Sequence, residues 1–197
     1  MAEGRDPAIN FSTAAVYLSQ DGEDEAVVRR CLGGDSAAFE PIVERYQRVL
    51  FTVALRMLGD REEASDATQN AFISAYRKLD TFDPKHRFFS WIYRILVNEC
   101  LNNQRSRRPH EPVTADLAAA GNPADLFEAA ERRRNVQAAI LALPTEYREV
   151  IILRHFTGLS YEDIGDALGL PAKTVKSRLH TAKERLGQML LGWGVRT

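Results

Sequence analysis

Residues 160–186 read SYEDIGDALGLPAKTVKSRLHTAKERL. This stretch predicts two short helices around a tight turn. Ser160 is a favourable N-cap, and Asp163 three residues on can complete a capping box. Ile164, Ala167 and Leu168 give the first helix an apolar face. Gly169 suits the left-handed residue that closes a helix, and Pro171 suits the first turn of the next. On the second helix, Val175, Leu179, Ala182 and Leu186 fall on one side at 100° per residue. Lys173, Lys176, Ser177 and His180 fall on the other. From Pro171 to Thr197 there are six Lys/Arg residues against a single acid, Glu184. A short helix, a turn and a basic, hydroxyl-bearing second helix form the helix-turn-helix arrangement, whose second helix enters the DNA major groove. A basic amphipathic helix alone is usually a solvated face. The capped helix before it and the turn chemistry favour the DNA reading.

The whole chain has 197 residues, 45% of them hydrophobic and 27% charged, which is ordinary for one or two small soluble domains. Net charge is −1, so the total is uninformative and only the distribution speaks. Residues 21–80 carry twelve acids and eight bases. Residues 84–110 carry six bases (Lys85, Arg87, Arg94, Arg105, Arg107 and Arg108) and one acid, Glu99. Basic charge thus sits in two blocks, as in a protein that touches nucleic acid at two places. Cys31 and Cys100 are too few and too distant for a zinc set, and read as thiols in a reducing compartment. No secretory segment and no apolar run of membrane-spanning length is seen, so a cytoplasmic protein without membrane insertion is expected. No Ser/His/Asp, Cys/His or metal-ligand grouping suggests an enzyme, a metal or a cofactor. His86, His110, His155 and His180 read as surface or DNA-contact residues.

All regular structure is expected to be helical. Residues 1–22 read as an N-terminal tail, with a short helix conceivable around Phe11, Val16, Tyr17 and Leu18. A helix follows over Glu23–Leu32, closed by Gly33 and Gly34. Asp35 is expected to cap a long helix over Ser36–Leu58, ended by Gly59. Asp60 caps the next, Arg61–Leu79, with Glu63 at the reciprocal position. Its inner stripe is Ala64, Ala67, Ala71, Phe72, Ala75 and Leu79. Its outer stripe is Glu62, Asp66, Gln69, Asn70, Ile73 and Arg77, and an exposed Ile73 hints at a partner. After a turn-rich TFDPKHR over 81–87, a fourth helix runs from about Phe88 to Arg107. Trp91, Arg94, Ile95, Asn98, Asn102 and Arg105 share one side of it. Aromatics stack on unpaired bases, amides read base edges and guanidinium groups hold phosphate; helical spacing supports equally a core Trp91 with solvated amides. Residues 109–126, with three prolines, read as a linker. Helices over Phe127–Leu141 and Thr145–Phe156 then lead into the opening stretch, and residues 191–197 read as a tail.

Three stretches carry a resemblance. LPTEYREVIILRHFTGLSYEDIGDALGLPAKTVKSRLHTAKERL, Leu143–Leu186, resembles the fourth region of bacterial extracytoplasmic-function (ECF, group 4) RNA polymerase sigma factors of the sigma-70 family. AFEPIVERYQRVLFTVALRMLGDREEASDATQNAFISAYRKLDTF, Ala38–Phe82, resembles the start of their second region. FFSWIYRILVNECLNNQRSRR, Phe88–Arg108, is similar to the promoter-reading helix, including the spacing of Trp91, Tyr93, Arg94 and Asn98.

The resemblance implies an all-α chain of two small helical domains joined by a flexible linker. Region 2 would span residues 23–108 and region 4 residues 127–190. Asp66, Gln69, Asn70 and Ile73 would dock on the β′ clamp helices of core RNA polymerase, and region 4 would meet the β flap. The connection 82–89 would capture a flipped base of the −10 element. Lys85, His86, Arg87, Phe88, Trp91, Arg94, Asn98, Asn102 and Arg105 would contact that element. Lys173, Thr174, Lys176, Ser177, Arg178, His180, Thr181 and Lys183 would read the −35 duplex or hold its phosphates. An anti-sigma factor would be a further partner.

The chain departs from the family's pattern in places. Asn70 follows Gln69 and Ser65 precedes Asp66 where acids are common. Lys173 stands before Thr174 in place of Gly, and Thr181 stands where Arg is common. A phosphate on Ser65 or Thr68 would restore negative charge to the docking stripe. Two other readings compete: a helix-turn-helix regulator acting without polymerase, and a helical adaptor whose basic faces bind acidic proteins.

Overall fold

The computed structural model describes residues 21–106 and 123–194, with side chains over 22–103 and 129–194. Among these residues every regular element is a helix. The expectations for residues 1–20, for residues 107–122 and for the Arg105 side chain lie outside them.

The first half begins with α1, Asp21–Leu32, followed by a 3-10 turn over Ser36–Phe39. Then come α2, Glu40–Leu58, and α3, Arg61–Arg77. A second 3-10 turn over Leu79–Thr81 leads through a loop to α4, Phe88–Ser106. Asp60 caps α3 as expected, its side chain accepting from the Glu63 N–H at 2.9 Å. Asp35 does not cap a long helix: its carboxylate accepts from Arg30 Nη2 at 2.7 Å and makes no cap bond. The α-helix starts at Glu40 instead, with Pro41 in its first turn. A proline there forfeits only an N–H that would be unpaired anyway.

Packing follows the apolar periodicity. Ile42, Tyr46, Leu50, Val53 and Met57 of α2 are completely buried. Ala64, Ala67, Ala71 and Ala75 put small side chains along the inner face of α3, which lets α2 and α4 approach it closely. Ile92, Tyr93, Leu96 and Cys100 fill the space from α4. Asp24 of α1 is fully buried, paired with Arg45 and accepting from the Tyr46 hydroxyl at 2.5 Å. Two charge-assisted partners offset the desolvation of that carboxylate.

The second half contains α5, Pro123–Ala142, and α6, Thr145–Phe156. The helix-turn-helix follows as α7, Tyr161–Leu168, and α8, Ala172–Gly192. The backbone of α5 begins at Pro123, four residues before the expected Phe127, because proline suits the first helical turn. Val150, Ile152, Ile164, Ala167, Val175 and Ala182 are completely buried and hold α6, α7 and α8 together.

The two halves share one continuous apolar core. Buried Arg148 of α6 donates to Met57 O of α2 at 3.1 Å and to Leu143 O at 3.0 Å. Arg56 of α2 donates to Gln137 Oε1 at 2.8 Å, and its guanidinium lies 4.4 Å from the Phe156 ring centroid. Gly59, which ends α2 at φ +76°, lies against Leu141: an added Cβ would come within 2.6 Å of Leu141 Cδ1. Backbone conformation favours glycine here, and an added Cβ would require the end of the Leu141 side chain to shift.

Candidate nucleic-acid interfaces

Local sequence builds the helix-turn-helix almost unaided. Ser160 and Asp163 form a complete capping box at the start of α7. The Asp163 N–H donates to Ser160 Oγ at 3.1 Å, and the Ser160 N–H donates to Asp163 Oδ2 at 3.3 Å. Gly169 takes the left-handed conformation, φ +67°, and closes the helix. The returning chain comes so near α7 that a Cβ on Gly165 would sit 2.5 Å from Leu170 O. Val175, Leu179 and Ala182 face inward from α8. Lys173, Lys176, Ser177, His180 and Lys183 are exposed, and Thr174 and Thr181 are half-buried.

Arg178, expected among the phosphate contacts, is half-buried, whereas Lys173, Lys176 and Lys183 are exposed. Burial pushes the Glu149 carboxyl up to about 7, opposed by the charges of Arg178 and Arg148. Arg185 is exposed, its guanidinium 4.5 Å over the Tyr147 ring of α6. His180 Nε2 lies 3.5 Å from Glu184 Oε1 on the surface. The exposed basic side chains of α8 are Lys173, Lys176, Lys183 and Arg185.

The loop before α4 is a compact turn. The Lys85 N–H donates to Asp83 Oδ1 at 3.0 Å, and the His86 N–H to Asp83 O at 3.0 Å. Lys85 and His86 are exposed at its tip. Phe82, Phe88 and Trp91 pack together, with ring centroids 5.3–5.5 Å apart. Phe88 was expected to contact DNA, yet it is 1% exposed and stacks on Tyr46 of α2. It supports the loop from below, and half-buried Trp91 is the ring of this cluster that reaches the surface. Arg94, Asn98 and Asn102 are exposed along the same side of α4. Arg87 is half-buried and Arg94 exposed, yet both are engaged by the second half of the chain. Arg87 Nη1 lies 2.6 Å from Asp163 Oδ1, and Arg94 Nε donates to Ala167 O at 2.9 Å.

A third surface lies between α2 and α3. Asp66, Gln69, Asn70 and Ile73 are all exposed on α3, as expected of a docking stripe. Gln69 and Ile73 line a groove of 540 Å³ with Val43, Gln47, Arg48 and Phe51 of α2. The contribution of α2 was missed, since nothing in its own periodicity says which apolar residues border a groove. Thr68 is buried and its hydroxyl donates to Ala64 O at 2.6 Å, which withdraws it as a phosphate acceptor; Ser65 is exposed. Among the described residues there is no helix long and apolar enough to cross a membrane.

Residues 42–110 match the family model for sigma-70 region 2, and residues 133–186 match that for sigma-70 region 4. The sequence is 34% identical to the ECF RNA polymerase sigma factor SigW of Bacillus subtilis (strain 168), over 83% of this chain and 94% of SigW. Its fold is similar to CnrH solved in complex with the cytosolic domain of CnrY. The TM-score is 0.67 at 28% identity, covering 86% of this chain and 97% of that one. It is also similar to the sigma factor RpoE of Bartonella quintana in complex with the anti-sigma factor NepR. There the TM-score is 0.62 at 26% identity, covering 77% of this chain and 96% of that one.

Proposed function

This chain belongs to the extracytoplasmic-function RNA polymerase sigma factors of the sigma-70 family, and we propose that its three surfaces divide the work of starting transcription. As a sigma factor it directs promoter-specific initiation with core RNA polymerase. In our reading, Asp66, Gln69, Asn70 and Ile73 with the neighbouring groove take the β′ clamp helices. The β flap meets region 4. Trp91, Asn98 and Asn102, together with Lys85, His86, Arg87, Arg94 and Arg105, meet the −10 element as it opens. Unstacking DNA is unfavourable, and a pocket for an extruded base returns part of that free energy.

The −35 duplex is read from the N-terminal half of α8. In our reading Lys173, Thr174, Lys176 and Ser177 read base edges, and His180, Thr181 and Lys183 hold phosphates. An anti-sigma factor holds such a protein in reserve, as NepR is bound to RpoE in the related complex. The role calls for no catalytic group and no cofactor, and it is carried out in the cytoplasm. Residues 23–108 serve as the polymerase and −10 unit, and 127–190 as the −35 unit.

The observation that carries this reading is a pairing of faces. An exposed amide row on α4 and an exposed basic row on α8 fall in the two separate segments that match sigma regions. A plain helix-turn-helix regulator needs only the second. The test is run-off transcription on genomic fragments with purified core polymerase, followed by mapping of start sites. Initiation at discrete sites that core alone does not use is expected. Stable duplex binding with no new start sites would favour the regulator.

A further inference from the structure

The aromatic cluster beneath the loop before α4 is tied to a buried charge near the start of α1. Asp24 is fully buried there. An apolar residue would pack α1 on α2 without the desolvation that a buried carboxylate incurs. What the carboxylate adds is direction. One oxygen takes Arg45, and the other accepts from the Tyr46 hydroxyl at 2.5 Å. A hydroxyl-to-carboxylate bond is short, strong and directional. Tyr46 is itself fully buried, so its ring is fixed by α2 at the backbone and by α1 at the hydroxyl. The ring stacks on Phe88 with centroids 5.8 Å apart, and lies 5.9 Å from Phe89. Phe88 meets Phe82 and Trp91, each at 5.3 Å. Half-buried Trp91 carries the series to the surface.

We propose that Asp24 is a positioning residue for the −10 element: by holding Tyr46 it fixes Phe88, and through Phe88 the pose in which Trp91 meets an unpaired base. Stacking on an extruded base favours a protein ring already in one orientation, since a ring that must be ordered on binding gives back part of the gain. Close-packed rings pass a displacement on, because a core without voids has nothing to absorb it. Edge and face preferences between the rings add to this, so that tilting one changes the favoured angle of the next. Asp24 precedes residues 42–110, the segment that matches sigma-70 region 2, and so lends a residue from an earlier helix to that segment's reader. The proposal rests on the −10 role given to Trp91.

Trp91 and Trp193 are the two tryptophans of the chain, so Trp193→Phe leaves Trp91 as the reporting fluorophore. In that full-length background Tyr46→Phe removes the hydroxyl and keeps the ring, and Asp24→Ala removes the acceptor. Val28→Ala trims a buried apolar contact of the same α1 and spares both bonds of Asp24. Tyr46→Phe and Asp24→Ala are expected to red-shift Trp91 emission and raise its quenching by acrylamide, and Val28→Ala to leave both unchanged. Strand opening is then read with core polymerase on a promoter fragment from the run-off map, by permanganate reactivity of unpaired thymines. A gel shift in the cold reads the closed complex. Tyr46→Phe and Asp24→Ala are expected to lower opening at least about fivefold, with closed-complex formation within about twofold of the parent. Unchanged Trp91 emission in both variants overturns the proposal, as does a loss of opening by Val28→Ala as large as theirs. If Asp24→Ala does not fold, the emission of Tyr46→Phe decides alone. Parent-like opening by both variants while Trp91→Ala is impaired also overturns it. Parent-like opening by Trp91→Ala would instead remove the −10 role itself, whatever the emission shows.

Discussion

Asp163 serves Arg87 and its own helix at the same time. One carboxylate oxygen lies 2.6 Å from Arg87 Nη1, and the other accepts from the Ser160 hydroxyl at 2.6 Å. The residue that starts the first helix of the helix-turn-helix therefore also anchors the loop before α4. Asp163→Ala should lower stability by about 1–2 kcal/mol, from the cap plus the pair. Urea unfolding of the Arg87→Ala/Asp163→Ala cycle should return a coupling of about 0.5–1 kcal/mol. A coupling of zero would show that the pair contributes nothing in solution.

Gly59 should be intolerant of substitution for two separable reasons. Its φ of +76° disfavours any side chain, and a Cβ would collide with Leu141. Gly59→Ala should cost about 1–3 kcal/mol. Adding Leu141→Ala should recover the steric share and leave the backbone share. Chemical denaturation of the two variants separates them, and no recovery would mean that Leu141 already yields.

Stability should fall as pH rises through the range where Glu149 titrates. Burial raises its carboxyl from 4.5 to about 7. Below about 4.5 both folded and unfolded chains hold the proton. Between the two values only the folded chain holds it, so stability declines and this group's share is gone above about 7. Arg178 of α8, Arg148 and Glu146 of α6 and Tyr93 of α4 are the charged or titratable groups around it. His155 is held below its ordinary 6.5, chiefly by burial and then by the charges of Lys183 and Arg154, so its contribution to stability grows as pH rises, opposite in sign to that of Glu149. The comparison that isolates Glu149 is therefore parent against Glu149→Gln. The variant should lose the decline, and parallel curves would remove Glu149 as its source.

Lys176 and Arg178 should part company on duplex DNA. Lys176→Ala should weaken −35 binding and reduce the salt slope by about one unit. Arg178→Ala should leave the slope unchanged and lower the thermal midpoint, since its side chain is half-buried and its positive charge favours the ionised Glu149. Equal slope changes would put Arg178 back among the phosphate contacts.

Ser65 and Thr68 sit one helical turn apart and should respond oppositely to negative charge. Thr68 is buried, so Thr68→Asp should destabilise by at least about 2 kcal/mol. Ser65→Asp on the exposed face should leave stability within about 0.5 kcal/mol. Urea midpoints decide, and similar losses at both positions would mean that the docking face is not as open as its geometry implies.

Much of the architecture is written in interactions that span only a few residues. Ser160 with Asp163, Asp60 with the Glu63 N–H, and the glycines at 59 and 169 each complete a helix end within one turn of chain. Such features can be recognised before any fold is known, because both partners lie side by side in the sequence. The apolar stripes of α2, α3 and α8 are legible for the same reason: a helix fixes the period at which side chains share a face.

Tertiary structure decided how the exposed-looking residues are spent. Asp35 had a helix to cap and is taken by Arg30; Phe88 had a strand to touch and is taken by Tyr46. Arg94 turns to the carbonyls of α7. In each case the competing partner is a group that no helical period announces, most of them far along the chain. A guanidinium or a ring goes to whichever partner is desolvated beside it, and that depends on which helices meet. Composition therefore names the groups available to a DNA strand, and packing decides which of them face one.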